Sequence, residues 1–271
     1  MTTPLERLRA RVAALGAPLC LGIDPHPDDL PDGVDGIEAF ARGLIEGAVG
    51  EAVAVKINVA FFEALGATGW AALERVRRDV PAAVICILDA KRGDIGSTAE
   101  RYAEGLFGHL AADAVTLSPY LGEDAIEPFL AHPDRLVYVL ARTSNPSASR
   151  IQDLVADGQP VHLRVARWVA DTWSDGRVGL VVGATAPREL AELREHVPGP
   201  GFLVPGVGAQ GGSLEDVCKY GMNKDCGLLV NSTRGIIYAS KGRDFAERAR
   251  EEALKLQKEM EIELLKAGII S

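Results

Sequence analysis

Eight short apolar runs, each followed by a segment of helical spacing, constrain this chain more than any other feature of its sequence. The runs occupy residues 18–25, 52–58, 83–88, 113–119, 135–142, 178–183, 202–205 and 227–231. Helical periodicity covers 37–49, 68–80, 97–110, 124–131, 161–173, 186–196, 213–220 and 244–266, with Ser97 placed to cap the third of these. A long polar loop is expected over 143–158. Apolar runs without polar alternation are the mark of strands buried on both faces, and so of a parallel sheet covered by helices. Eight such units in 271 residues predict an α/β fold, a (β/α)8 TIM barrel forming one domain over 1–271. A doubly wound open sheet is the alternative, and it accounts less well for the number eight.

Composition narrows the function. A formal net charge of −9 without a basic stripe argues against nucleic acid as a partner. No apolar run approaches the ~20 residues of a membrane helix, and residues 1–7 lack the apolar core of a signal peptide. Cys20, Cys86, Cys218 and Cys226 form no C-x-x-C pair, and the five histidines show no ligand spacing. Reduced thiols, a cytoplasmic location and no structural metal are expected. Residues 1–218 contain 17 arginines but only two lysines, Lys56 and Lys91, whereas 219–271 contain four arginines and six lysines. The two early lysines are candidates for work that needs a compact ammonium able to give up a proton. The change in usage near Val217 marks a candidate fusion junction.

Polar residues recur where strands end. In a barrel of this kind the C-terminal strand ends carry the functional groups. Asp24 follows the first strand, Lys56 lies on the second, Asp89 and Lys91 follow the third and Ser118 the fourth. Arg142 and Ser144 follow the fifth, Gln210 the seventh and Arg234 the eighth. Asp89 and Lys91, two residues apart, face one space, and Asp94 comes three residues later past a glycine. Alone, this acid–base–acid set reads as a salt bridge at a strand end. As part of a ring of converging charge it reads as a site.

Residues 205–213, Pro-Gly-Val-Gly-Ala-Gln-Gly-Gly-Ser, allow backbone N–H groups to approach an anion and open a helix. The eighth strand leads into Asn231-Ser232-Thr233-Arg234-Gly235-Ile236. Loops after strands seven and eight form a recurrent phosphate site in barrels, and Arg234 would supply a bidentate clamp. A glycine-rich surface loop beside a surface arginine is the plainer reading of either loop by itself.

Six segments together resemble the orotidine 5'-monophosphate decarboxylases, in particular the bacterial branch with longer loops. They are Leu21-Gly22-Ile23-Asp24; Val55-Lys56-Ile57-Asn58 with Ala60-Phe61-Phe62-Glu63; Asp89-Ala90-Lys91-Arg92-Gly93-Asp94-Ile95-Gly96-Ser97-Thr98-Ala99; Arg142-Thr143-Ser144-Asn145-Pro146; the glycine-rich loop; and Asn231 to Ile236. They run in order from the first strand to the eighth. The resemblance implies decarboxylation of orotidine 5'-monophosphate to UMP with no metal and no organic cofactor. It implies that Lys91 protonates C6 within a Lys56-Asp89-Lys91-Asp94 network. It further implies that Asp24 binds ribose, Ser144 the pyrimidine, and Gln210 and Arg234 the phosphate. A homodimer is implied in which Asp94 and Thr98 reach the neighbouring site.

Three alternatives keep the same barrel. A magnesium-dependent sugar-phosphate decarboxylase or aldolase is disfavoured by Lys56, whose charge would repel the metal. A Schiff-base aldolase using Lys91 is disfavoured because two flanking acids hold that amine protonated. A nucleotide-binding barrel without catalysis would be attractive if one member of the charge set were missing, and none is.

Overall fold

The computed structural model describes residues 2–208 and 211–270. Within them, eight parallel strands close a barrel: β1 (Leu19–Ile23), β2 (Ala54–Asn58), β3 (Ile85–Arg92), β4 (Ala114–Leu117), β5 (Leu136–Arg142), β6 (Val178–Val182), β7 (Phe202–Pro205) and β8 (Leu228–Ser232). Each strand pairs with its neighbours in sequence, and β8 closes on β1 with Leu19 opposite Val230. The long helices fall where periodicity places them, Gly36–Ala48, Gly66–Asp79, Val161–Thr172, Pro187–His196 and Phe245–Lys266 among them. None of the described helices is long and apolar enough to cross a membrane.

Alternation along each strand sorts the side chains into two cores. One set, including Leu21, Val55, Cys86, Val115 and Val137, packs outward against the helices. The other fills the barrel: Cys20, Ala54, Ile85, Ile87, Ala114, Leu136, Tyr138, Val181, Leu203 and Leu229. That interior is apolar until the C-terminal ends of the strands. There the next inward positions become Lys56 on β2, Asp89 on β3, Thr116 on β4 and Asn231 on β8. All four cysteines are buried free thiols.

Several local expectations need correction. Ser97 does not cap its helix: the segment Gly96–Ala103 has Ile95 at the N-cap without a side-chain bond, so Ser97 lies in the first turn. The expected helix over 97–110 changes to π geometry over Glu104–His109. The stretch 143–158 is not structureless; it holds the short helix Ser149–Gln152, and Val155–Ala156 pairs antiparallel with Gln159–Pro160. A helix over Pro4–Leu15, with a Thr3–Glu6 capping box, precedes the first strand. A short turn of helix, Arg234–Ile237, follows β8.

Candidate active site

The centre of the site is Asp89, whose carboxylate is divided between two ammonium groups. Lys56 Nζ donates to Oδ2 at 2.8 Å, and Lys91 Nζ donates to Oδ1 at 2.6 Å. Thr116 Oγ1 also donates to Oδ1, at 2.8 Å. On the far side of Lys56, Asp24 Oδ1 lies 3.7 Å from Nζ. Four of the residues expected at the site, Asp24, Lys56, Asp89 and Lys91, are thus one chain of alternating charge.

The members differ in environment. Lys56 is 4% exposed, while the Lys91 side chain is half exposed at the mouth of the barrel. Burial disfavours the Lys56 ammonium, but Asp89 and Asp24 outweigh it, and Lys56 titrates above the ordinary lysine range. Burial likewise works against the Asp89 carboxylate; Lys56 and Lys91 overcome it and hold Asp89 far below the usual carboxylate range. Both groups are therefore charged at neutral pH.

Lys91 is aimed by more than strand alternation. Its φ is +46°, the left-handed region that a residue with Cβ seldom enters. The β3–β4 register shifts between Leu88 and Arg92, so the strand bulges there. The Lys91 N–H, displaced from the ladder, donates to Thr116 Oγ1 at 3.0 Å. One threonine hydroxyl thus accepts from the bulged backbone and donates to Asp89. Thr116 was not singled out from the sequence; the available signal was a lone inward hydroxyl in an apolar strand.

A cleft of about 250 Å³ opens beside the network, lined by Asp24, His26, Phe61, Asn231, Thr233 and Arg234 among others. Asp24 belongs to both the charge chain and the cleft. Tyr238 ties this rim together, its hydroxyl donating to the Asp24 carbonyl and accepting from the His26 N–H. Gly22 is a required absence: a Cβ there would lie 1.9 Å from Thr233 Oγ1 and 3.1 Å from Asn231 Oδ1. Arg234, at the start of its short helix, is exposed in the cleft wall.

The remaining expected residues stand apart. Ser144 is partly buried at the foot of the loop after β5. Asp94 makes no ion pair within the described residues of its own chain, and its Oδ1 accepts from the Ile95 N–H. Thr98 is exposed. Gln210 lies outside the described residues. Arg142 is not available to the cleft: its guanidinium is bound to Asp153 and to the Thr143 carbonyl. The N–H groups of Gly208, Gly211 and Gly212 close turns within the glycine-rich loop, so in this conformation they are not the anion donors the sequence suggested.

Comparisons with known proteins identify the family of the chain. A family model described as "Orotidine 5'-phosphate decarboxylase / HUMPS family" matches residues 17–249, from the start of β1 to beyond β8. A protein of Roseiflexus castenholzii named orotidine 5'-phosphate decarboxylase is 50% identical over 246 residues, covering 88% of this chain and 90% of that one. The structure of Leishmania donovani OMP decarboxylase is similar with a TM-score of 0.87 and 38% identity, covering 97% of this chain and all of that one. Leishmania donovani UMP synthase matches with a TM-score of 0.87 and 41% identity over 96% of this chain. That larger protein is only 56% covered, so this chain corresponds to one part of it.

Proposed function

The chain belongs to the orotidine 5'-phosphate decarboxylase / HUMPS family, and from that membership we propose that it converts orotidine 5'-monophosphate to UMP and CO2 in pyrimidine nucleotide synthesis. The observation that carries the reading is the sharing of one carboxylate, Asp89, between a buried and a half-exposed lysine. Cleavage of the C6–carboxylate bond leaves its electron pair on C6, and that carbon must then take a proton. Lys91, at the open end of the charge chain, stabilises the developing negative charge and donates that proton. An ordinary ammonium, pKa ~10.4, is a weak acid, but a vinyl-type carbanion is far more basic, so placement and charge decide the step. Asp89 lies beside the substrate carboxylate, where repulsion is relieved as neutral CO2 departs. Lys56 keeps Asp89 ionised and fixed, so the field is organised before substrate arrives.

In this reading Asp24 holds ribose hydroxyls, Ser144 the pyrimidine, and Arg234 with Gln210 the phosphate. The cleft joining Asp24 to Arg234 supports that order. Binding energy at the remote phosphate can then be used at C6. The whole chain acts as one domain, because β8, beyond the change in lysine usage, pairs with both β7 and β1. The buried thiols fit a reducing, cytoplasmic setting.

Asp94 and Thr98 serve the site of a second subunit in a homodimer. Support comes from Asp94's lack of an ionic partner among the described residues of its own chain, and from apolar side chains beside it. Ile95 is 51% exposed, and Trp70 and Tyr102 line one open hollow together with Arg92. Mixing Asp94→Asn and Lys91→Ala proteins, each inactive, then restores activity, since each heterodimer rebuilds one intact site. Mixtures that remain inactive while forming heterodimers refute the shared site.

The direct test follows the loss of orotidine 5'-monophosphate ultraviolet absorbance with EDTA present. Conversion to UMP is expected. A folded dimer that binds UMP and turns over nothing would refute the enzyme reading in favour of a binding protein.

A further inference from the structure

The loop between β5 and the helix Val161–Thr172 is tied at its base by charged and polar groups that the proposed reaction does not use. Arg142, at the end of β5, donates from Nη2 to Asp153 Oδ2 at 3.2 Å and from Nη1 to the Thr143 carbonyl at 2.8 Å. Its Nε is 3.1 Å from Asp153 Oδ1, close enough for charge attraction but not aligned as a hydrogen bond. His162, 3% exposed, sits behind the same carboxylate. Its Nδ1 is 2.9 Å from the Gln152 carbonyl and 3.3 Å from Asp153 Oδ1. A carbonyl only accepts, so the imidazole proton is on Nδ1. Gln152 completes the tie: its Oε1 accepts from the Thr143 N–H and its Nε2 donates to Thr143 Oγ1, both at 2.8 Å.

Ser144 is the next residue after Thr143, and it rests on Gly183 at the end of β6. The Gly183 N–H donates to the Arg142 carbonyl at 2.7 Å. A Cβ on Gly183 would lie 3.0 Å from both the backbone nitrogen and the Cβ of Ser144. Ser144 is thus held from two sides, by the loop-base tie through Thr143 and by a barrel wall lacking a side chain. A charged tie inside a loop of a dozen and more residues is costly in burial and gives a precise return address for one residue.

We propose that Asp153, braced by His162 and acting through Arg142, and Gln152, acting through Thr143, are positioning residues that set Ser144 for the pyrimidine ring. The inference rests on the reading of Ser144 as a substrate contact. Its test is a double-mutant cycle on kcat/KM for orotidine 5'-monophosphate, using Ser144→Ala, Asp153→Asn and the pair, with thermal melts beside it. Asp153→Asn keeps the shape and removes the charge that holds Arg142. Each single change is expected to lower kcat/KM by about tenfold, the scale of one hydrogen bond. The pair is expected to be within about twofold of Ser144→Ala alone, because Asp153 has nothing left to position. Gln152→Ala runs through the same cycle and decides the matter if Asp153→Asn does not fold. Additive effects with an active Ser144 overturn the positioning role and leave the Ser144 reading intact. A silent Ser144→Ala overturns both.

Discussion

Replacing Lys56 by methionine keeps the volume of the side chain and removes one charge from the middle of the Asp24–Lys56–Asp89–Lys91 chain. At an effective dielectric constant of ~20, contacts of 2.8 and 3.7 Å to Asp89 and Asp24 correspond to roughly 6 and 4 kcal/mol of attraction. Much of this is offset by the several kcal/mol needed to strip water from the ammonium. The variant recovers that offset but leaves two acids without their shared cation, and the Asp24 Oδ1 is buried without a hydrogen bond. Breaking a buried pair in this way costs ~3–5 kcal/mol. Lys91 still faces Asp89, so the lower part of that range is expected. In a chain of this size ~3 kcal/mol lowers Tm by about 5 °C, measured at fixed protein concentration because dimerisation would shift it.

The pH dependence gives the loss a signature. The Lys56 pKa is raised on folding, so its contribution is full below ~10.4 and is lost as pH rises through the folded value. The Asp89 pKa is depressed, so its contribution is full above ~3.9 and is lost as pH falls through the folded value. The stability gap between native protein and Lys56→Met is therefore a plateau from about pH 5 to 9 that narrows on either side. Urea melts across that range measure it. A plateau below ~1 kcal/mol, or a gap that widens in acid, would refute the picture of a desolvated, mutually paired network.

Lys91→Ala should reduce kcat/KM by at least ~10³ through loss of the proton donor and its charge, while Tm moves by only a few degrees because the side chain is half exposed; a mild activity loss in steady-state assays would point to another donor. Arg194→Met should cost about 3 kcal/mol in urea melts, since the buried guanidinium donates to the carbonyls of Pro200, Gly221 and Gly227 and stacks on Phe202 at 3.6 Å. Arg194→Lys should recover little of it, because one ammonium cannot span three carbonyls, and full recovery would show that charge alone suffices. Thr116→Val should lower kcat/KM by about tenfold, since it removes the hydroxyl bonded to both the Lys91 N–H and Asp89; unchanged kinetics would mean the bulge aims Lys91 unaided.

The barrel was legible because its strands are buried on both faces, so periodicity had only to separate uninterrupted apolar runs from helical ones. β7 is Phe202–Pro205, as expected, and the final helix differs from the expected span by one residue. The inward charges Lys56 and Asp89 were legible for a related reason: a charge in such a run needs a partner. What was not legible depends on groups that no local pattern links. Arg142 looks like Lys56 in sequence, a cation ending a strand, but Asp153, eleven residues on, turns it away from the cleft. Ser97 looks like a cap, yet the helix begins at Gly96, whose φ of +54° makes the turn. The glycine-rich loop leads into a helix as expected, but among its described residues the N–H groups of Gly208, Gly211 and Gly212 bond within the loop.

Lys91 joins the fold to the chemistry. Simple alternation would put Asp89 and Lys91 on one face with their side chains parallel. The bulge between Leu88 and Arg92 instead tips Lys91 into the left-handed region, at a cost of roughly 1–2 kcal/mol. Thr116 and Asp89 offset that cost by holding its backbone and its ammonium. The ammonium stays paired with the acid next to it while standing at the mouth of the barrel, where a substrate carbon can reach it. Lys56, without a bulge, points into the barrel and is 4% exposed. The backbone therefore gives the two lysines of residues 1–218 different surroundings: one pairs with Asp89 from within the barrel, the other pairs with it from the open mouth, where the proposed reaction needs its proton donor.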